Sequence, residues 1–405
     1  MGVKVWRWVF TLFLMLPVFL ANAWGAELKV TSSTHYLWYQ DLLTSDNERD
    51  IAEYLRINVT KLDKEGKVNI YAYGRASKQI SSSEDYQGRL YYFYLDYRDA
   101  LNGFLDLRAG RTYVNAAAIS GLIDGAYVDL KKVGPVGVTL FGGRDVRFQE
   151  KKEISVRGDA ITGGSVYLDT LLNTHLEVSY ARKYNDTNTA RENVGFDFTT
   201  TPLSRVNLYG YVKYDLIAEA TNELLLGMKF NPFQSLIVRG EYYESYPTFD
   251  TDSIYSVFAV NQYKEKSIKA EYVLNERCQL SAGYAREEFN DGATADLYEV
   301  GFTVKPIQDL QLDVSYEARN GYAGQLKGIR GRAAYRLLNK ATIMAGVDYD
   351  DFRREDSRNG YAKKYWGGLD WEITKNISTV VRVEDNMTYN YDHSYQGLFA
   401  LNLKF

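Results

Sequence analysis

The chain has 405 residues, 48 Lys and Arg against 52 Asp and Glu, a formal charge of −4, and 35 tyrosines beside 6 prolines. The slight acidic excess argues against a general nucleic-acid or polyanion binder. The single cysteine, Cys278, excludes an internal disulfide, a C-x-x-C-H haem site and a Cys₄ metal site within this chain.

The first residues carry an export signal. Lys4 and Arg7 form a positive start, Trp8 to Leu20 an apolar core, and Ala21-Asn22-Ala23 a small-x-small cleavage pattern. Residues 1–23 are therefore expected to be a signal peptide, with cleavage after Ala23 and Ala26 as the second choice. Its removal leaves 46 bases against 52 acids, a charge of −6. Mean hydropathy is −0.36. Beyond residue 23 no stretch reaches the ~18 apolar residues of a membrane helix. A β-barrel keeps such a modest hydropathy, because half of each strand faces water.

Residues 24–405 show no composition shift and are expected to form one domain. Short segments of alternating polarity follow one another, each the length of a strand. The spacing predicts strands over 27–40, 49–62, 67–80, 86–98, 102–112, 122–132, 136–147, 157–170, 174–184, 190–200 and 204–215. It continues with 219–230, 234–245, 263–274, 277–288, 293–305, 309–319, 323–337, 340–351, 361–373, 376–388 and 394–405. That makes 22, an even count that returns both ends to one side; 20 and 24 are the neighbouring even solutions.

Two kinds of connection alternate. Gly134-Pro135, Thr201-Pro202, Asn231-Pro232, Lys305-Pro306, Asn339-Lys340 and Lys375-Asn376 are tight. Asn185–Thr189, Asp350–Asn359 and Asn386–Asp392 are more polar and often longer. No proline is expected inside a strand, where it would remove a ladder hydrogen bond. After the tight turns the sequence repeats an apolar-x-apolar motif, as in Leu176-Glu-Val-Ser-Tyr180 and Leu312-Asp-Val-Ser-Tyr316. A period of roughly 30–40 residues also suits solenoids and propellers, but none of their signatures accompanies it.

Side chains alternate across a strand, so the two faces can be separated by eye. In 204–215, Val206, Leu208, Gly210, Val212 and Tyr214 fall on one face; Arg205, Asn207, Tyr209, Tyr211, Lys213 and Asp215 fall on the other. In 263–274, Ile268, Ala270, Tyr272 and Leu274 oppose Lys269 and Glu271. In 376–388, Ile377, Thr379, Val381 and Val383 oppose Arg382 and Glu384. An Arg or Lys facing lipid at mid-depth costs about 2–4 kcal/mol, which would fix this register. Tyrosine, with an apolar ring and a polar tip, suits both the interfacial girdles and a damp inner wall.

The last strand places Tyr395, Phe399, Leu401, Leu403 and the terminal Phe405 on one face. It resembles the C-terminal signal of bacterial outer-membrane β-barrels. That resemblance implies an all-β fold: a transmembrane, antiparallel, up-and-down barrel in the outer membrane. It also implies contact with outer-membrane lipid and with the barrel assembly machinery through the last strand.

No enzyme motif is present: no G-x-S-x-G, Walker A, H-E-x-x-H or dinucleotide fingerprint. His35, His175 and His393 are the only histidines; closure of the barrel could bring His35 near His393, which is geometry without a triad. No catalytic residue, cofactor or metal site is expected. What remains is the lumen. Its expected lining positives are Arg75, Arg108, Lys213, Arg239, Lys269, Arg330, Arg332, Arg336 and Arg382. Its negatives include Asp106, Asp129, Glu177, Glu241, Glu271, Asp313, Glu317, Asp348, Asp350 and Glu384. The densest group is Arg330, Arg332 and Arg336, flanked by Asp313 and Glu317 on the strand before and Asp348 and Asp350 on the strand after. Two readings stand open: a charged path or mixed-charge filter for ions, or a ladder of cross-strand salt bridges that stiffens the wall.

Two connections look long enough to fold inward, Ser245–Tyr263 and Val114–Gly121. The second, with Ala116, Ala117, Ala118 and Ile119, lies between Arg111 and Asp124 and is the expected constriction loop. The run Leu107-Arg-Ala-Gly-Arg-Thr-Tyr113 leading into it is similar to the strand-before-loop region of porin-like proteins. The resemblance implies a porin passing small hydrophilic solutes or ions. A second family that the chain resembles is the barrel partner of porin–cytochrome conduits, which implies a multihaem c-type cytochrome threaded through the lumen.

Overall fold

The computed structural model describes residues 25–42, 44–82, 86–147, 159–171, 173–247, 262–322, 324–353 and 359–405. The expected signal peptide and most of the Ser245–Tyr263 connection lie outside these residues. The first strands are β1 (Glu27–Gln40), β2 (Asn47–Thr60), β3 (Val68–Gln79), β4 (Gln87–Asp99), β5 (Leu105–Ala116) and β6 (Ile119–Val133). There follow β7 (Val136–Asp145), β8 (Ala160–Leu171), β9 (Thr174–Asn185), β10 (Asn188–Leu203), β11 (Val206–Asp215) and β12 (Ala220–Phe233). Next are β13 (Leu236–Ser245), β14 (Tyr263–Asn275), β15 (Cys278–Phe289), β16 (Thr294–Ile307), β17 (Leu310–Gly321) and β18 (Gly324–Leu337). The last are β19 (Ala341–Arg353), β20 (Asn359–Glu372), β21 (Ile377–Thr388) and β22 (Tyr391–Lys404).

Every strand pairs antiparallel with its neighbours in sequence, and β1 pairs with β22, so 22 strands close a cylinder. Closure removes the two open edges that a sheet of 22 strands would otherwise present. The seam runs from Thr31↔Lys404 to Tyr39↔Gln396. It continues into the terminal residue: Phe405 N–H donates to the Val30 carbonyl at 2.9 Å, and Val30 N–H to the Phe405 carbonyl at 3.1 Å. Ser33 Oγ adds a bond to Asn402 Oδ1 across the seam at 2.5 Å.

Register sorts the side chains into two continuous surfaces. Val138, Val166, Val178 and Phe196 lie side by side across β7 to β10. Val300, Tyr316, Ile329 and Tyr349 do the same across β16 to β19. Val166, Val178, Val300 and Ile329 are each about half exposed, at 50%, 54%, 56% and 48%. These rows form the outside. The alternate positions carry the charges and form the inside, as the alternation of each strand requires. Glu53 is an exception on the outer face. It stands opposite Thr34, which is itself opposite Leu401. Its carboxylate accepts the hydroxyls of Ser32 and Thr34, each at 2.5 Å.

The expected longer connections Asn185–Thr189 and Asn386–Asp392 are two-residue turns, Asp186-Thr187 and Tyr389-Asn390, because the flanking strands run on into them, and the strand ends differ from expectation in two further ways. Pro202, Pro232 and Pro306 lie within the last residues of β10, β12 and β16, not in the turns. The two-residue turns follow them, at Ser204-Arg205, Gln234-Ser235 and Gln308-Asp309. Each proline falls at a register shift, Thr200/Leu203, Phe230/Phe233 and Val304/Ile307. A bulged residue has no ladder partner, so a missing N–H costs nothing there. The second difference is β5 and β6. They run on to Ala116 and Ile119, so the expected Val114–Gly121 loop is the tip of an extended hairpin.

Candidate functional site: the inner wall

The β5–β6 hairpin leaves the wall. β4 pairs with β5 only over Phe93–Tyr97 and Arg111–Leu107. At the point of departure Gly110 has φ +123°, and a Cβ there would collide with the Phe93 carbonyl. Glycine permits this bend and other residues do not. Arg111 secures the root: it pairs with Asp124 at 2.8 and 2.9 Å and donates to the Leu90 carbonyl at 2.8 Å.

Beyond that root the tip lies against the inner face of β9 and β10. Ala118 N–H donates to Ser179 Oγ at 2.8 Å, Ala117 N–H to Glu177 Oε1 at 3.2 Å, and Asn193 Nδ2 to the Ala118 carbonyl at 3.1 Å. Gly195 lets the tip approach, because a Cβ would strike the backbone of Ala117 and Ala118. Apolar packing completes the seat: Val114, Ala118, Ile123, Phe141, Ile161 and Ala181 form one buried cluster. The structure therefore brings Ala116, Ala117, Ala118 and Ile119 together on the inner side. Beside the tip is a recess of about 440 Å³ whose walls include His175, Glu177, Asp197, Lys213 and Glu223. Tyr211 and Tyr243 hydroxyls both donate to Glu223 Oε1, at 2.8 and 3.1 Å.

A row of three cations crosses the inner face of β12 to β14. Lys229 is opposite Arg239, and Arg239 is opposite Lys269. Lys269 reaches Glu299 at 3.2 Å; Lys229 and Arg239 have no ion-pair partner among the described residues. Glu241 accepts the Tyr209 hydroxyl.

On β17 to β21 the expected salt ladder is only partly built. Arg330 pairs with Glu317 at 2.7 Å. Lys364 lies between Asp348 at 3.9 Å and Glu384 at 3.3 Å. Arg382 is 3.4 Å from Glu384 and its guanidinium stacks 4.6 Å above the Trp366 ring. Arg332 is opposite Asp313 in register, yet Asp313 is held by Thr303 Oγ1 at 2.6 Å and Gln311 Nε2 at 3.0 Å. Arg332 and Arg336 are exposed on the inner face and have no ion-pair partner among the described residues. Asp350, opposite Gly328 and Ala362, keeps one buried oxygen without a donor among the described residues.

At β3 to β6 the inner wall holds Arg75 and Arg108. Arg75 is opposite Tyr54. Arg108 is 3.3 Å from Asp96 and lies 4.9 Å over the Tyr127 ring. The fully buried Asp96 also takes Arg98 at 2.5 Å. Asp96, Lys229 and Lys364 were not singled out in the sequence, although each sits at an inward position of its strand's alternation. The histidines do not meet. His35 lies tilted against Tyr54 and is opposite Ala400, while His393 Nδ1 is 2.9 Å from Asp385. The seam register sets His35 level with Ala400, seven positions along β22 from His393, which separates the rings.

No family model matches the sequence, and no curated protein matches it. Solved structures similar to it include Pseudomonas aeruginosa OccK3 (OpdO), at 11% identity over 94% of this chain and 95% of that one, with a TM-score of 0.48. Pseudomonas aeruginosa OpdQ is also 11% identical, over 94% and 98%, with a TM-score of 0.48. Acinetobacter baumannii OccAB3 is 10% identical, over 94% and 99%, with a TM-score of 0.49.

Proposed function

We propose that the protein is an outer-membrane channel of the porin kind, passing small hydrophilic solutes through its bore. The observation that carries this is the division of one closed wall into an apolar outside and a charged inside. A cylinder of 22 strands leaves room for a water-filled lumen. The hairpin tip at Ala116–Ile119 acts as the constriction. Arg332, Arg336, Lys229 and Arg239, which have no ion-pair partner among the described residues, bias the short-turn half of the bore toward anions. Lipid contacts the half-exposed valines and tyrosines of the outer rows, and the assembly machinery engages β22.

A sheath around a multihaem cytochrome gains no support from the wall. Protein purified alone and reconstituted in a planar bilayer tests the channel. Stable ion conductance is the expected result. A folded barrel that conducts only when a haem-bearing partner is added overturns it.

A further inference from the structure

The inner face of β1 to β4 carries a continuous run of aromatic rings. Ring centroids of His35 and Tyr54 are 4.8 Å apart, and those of Tyr54 and Tyr73 are 6.4 Å apart. Tyr73 lies 4.9 Å from Tyr91 and 5.7 Å from Tyr92. Tyr92 continues to Tyr94 at 5.8 Å, and Tyr94 to Tyr71 at 5.3 Å. By strand position the run descends from the long-loop half of β1 at His35 to the short-turn half of β3 at Tyr71.

Two guanidinium groups alternate with the rings. Tyr54 is opposite Arg75, and Arg56 is opposite Tyr73. Arg56 lies 4.9 Å over the Tyr73 ring. Arg75 Nε is buried with no hydrogen-bond partner among the described residues. Neither arginine has an ion-pair partner among the described residues. Neither guanidinium is therefore held by a carboxylate of the described wall.

We propose that this face is a binding track for linear oligosaccharides. A sugar ring has one flat, C–H-bearing face and a rim of hydroxyls. Tyr54, Tyr92 and Tyr94 offer apolar ring surface for the former, while Tyr73, stacked on Tyr91 and beneath Arg56, holds the row together. Arg56 and Arg75 offer planar, paired donors for the latter. A single aromatic solute would need one ring and one cation. Successive rings 4.8–6.4 Å apart across four strands suit a ligand that repeats, with each sugar unit moving from one tyrosine to the next. The proposal rests on the channel reading for access to the bore, and its binding test is independent of conductance.

Maltohexaose is titrated calorimetrically into the detergent-solubilised full chain. Saturable binding is expected, weakened at least about tenfold in Tyr54→Ala/Tyr73→Ala. Tyr54→Phe/Tyr73→Phe keeps the rings and should bind as the parent does. Arg56→Lys/Arg75→Lys keeps the charge, loses the paired donors, and should weaken binding about tenfold. Heat-modifiable mobility in detergent gels confirms that each variant is folded. No binding of maltohexaose, binding unchanged in both the alanine and lysine pairs, or binding of benzoate in its place overturns the proposal. Conductance without sugar is recorded separately, so a closed barrel that still binds maltohexaose counts against the channel and not against the track.

Discussion

Reversing the two unpaired arginines of β18 should turn the ion preference of the bore. Arg332→Glu with Arg336→Glu changes the local charge by four units without removing an ion pair that the structure contains. At about 10 Å in water one unit charge acts on a passing ion with roughly 0.4 kcal/mol. Screening over one Debye length in 0.1 M salt lowers this to about 0.15 kcal/mol. Four units give about 0.6 kcal/mol, of opposite sign for cation and anion, so the cation-to-anion permeability ratio should rise about eightfold. In 1 M salt the Debye length is about 3 Å and the shift should nearly vanish. The assay is the zero-current potential across a planar bilayer under a KCl gradient. Arg330→Gln is the contrast, because its charge is already held by Glu317 at 2.7 Å; it should move the potential less than either neighbour replaced by Gln. An unchanged potential at low salt in the double variant, or a shift that survives 1 M salt, refutes the placement of these side chains along the ion path.

Other outcomes follow from single contacts. Asn193→Ala removes the donor to the Ala118 carbonyl and should cost about 1–3 kcal/mol of hairpin seating, read as increased current noise with little change in global unfolding. Gly195→Val forces the tip off β10 and should raise the mean single-channel conductance; an unchanged value assigns the constriction elsewhere. Asp96→Ala leaves Arg98 and Arg108 without their shared carboxylate. Because both arginines are partly exposed, about 1–3 kcal/mol is expected in urea unfolding from lipid vesicles, with Asp96→Asn losing less. Deleting Phe405 removes both backbone bonds to Val30 and should lower the yield of assembled barrel in the outer membrane, measured by heat-modifiable mobility.

The strand pattern was legible because one rule, alternation, decides every position of a barrel wall. Val206, Leu208 and Val212 against Tyr209, Tyr211 and Lys213 could be sorted without knowing any neighbour. The same rule places Arg75, Arg108, Arg239, Arg330, Arg332, Arg336 and Arg382 inward. The hairpin was legible from composition, since Ala116–Ile119 is too apolar to stand in water. The loop reading overlooked the alternation that continues through Thr112–Ala116, and nothing in the sequence says that β5 will part from β4. That parting is marked only by Gly110, one of 32 glycines.

Partnership is a different problem from placement. A carboxylate on an inner wall has neighbours on two flanking strands and along its own strand, and pairwise register sees only the first kind. Asp313 shows the consequence. Register puts it opposite both Thr303 and Arg332. The short Thr303 hydroxyl reaches it without ordering a long side chain, and Gln311 arrives from two residues away on the same strand. Fixing Arg332 there instead would cost side-chain entropy for a pair worth about 0–1 kcal/mol in a wet lumen. The acid is therefore satisfied locally and the arginine is left to the bore. Matching charges on adjacent strands thus do not imply a salt ladder, and the cations that remain over are the ones that an ion would meet in the proposed channel.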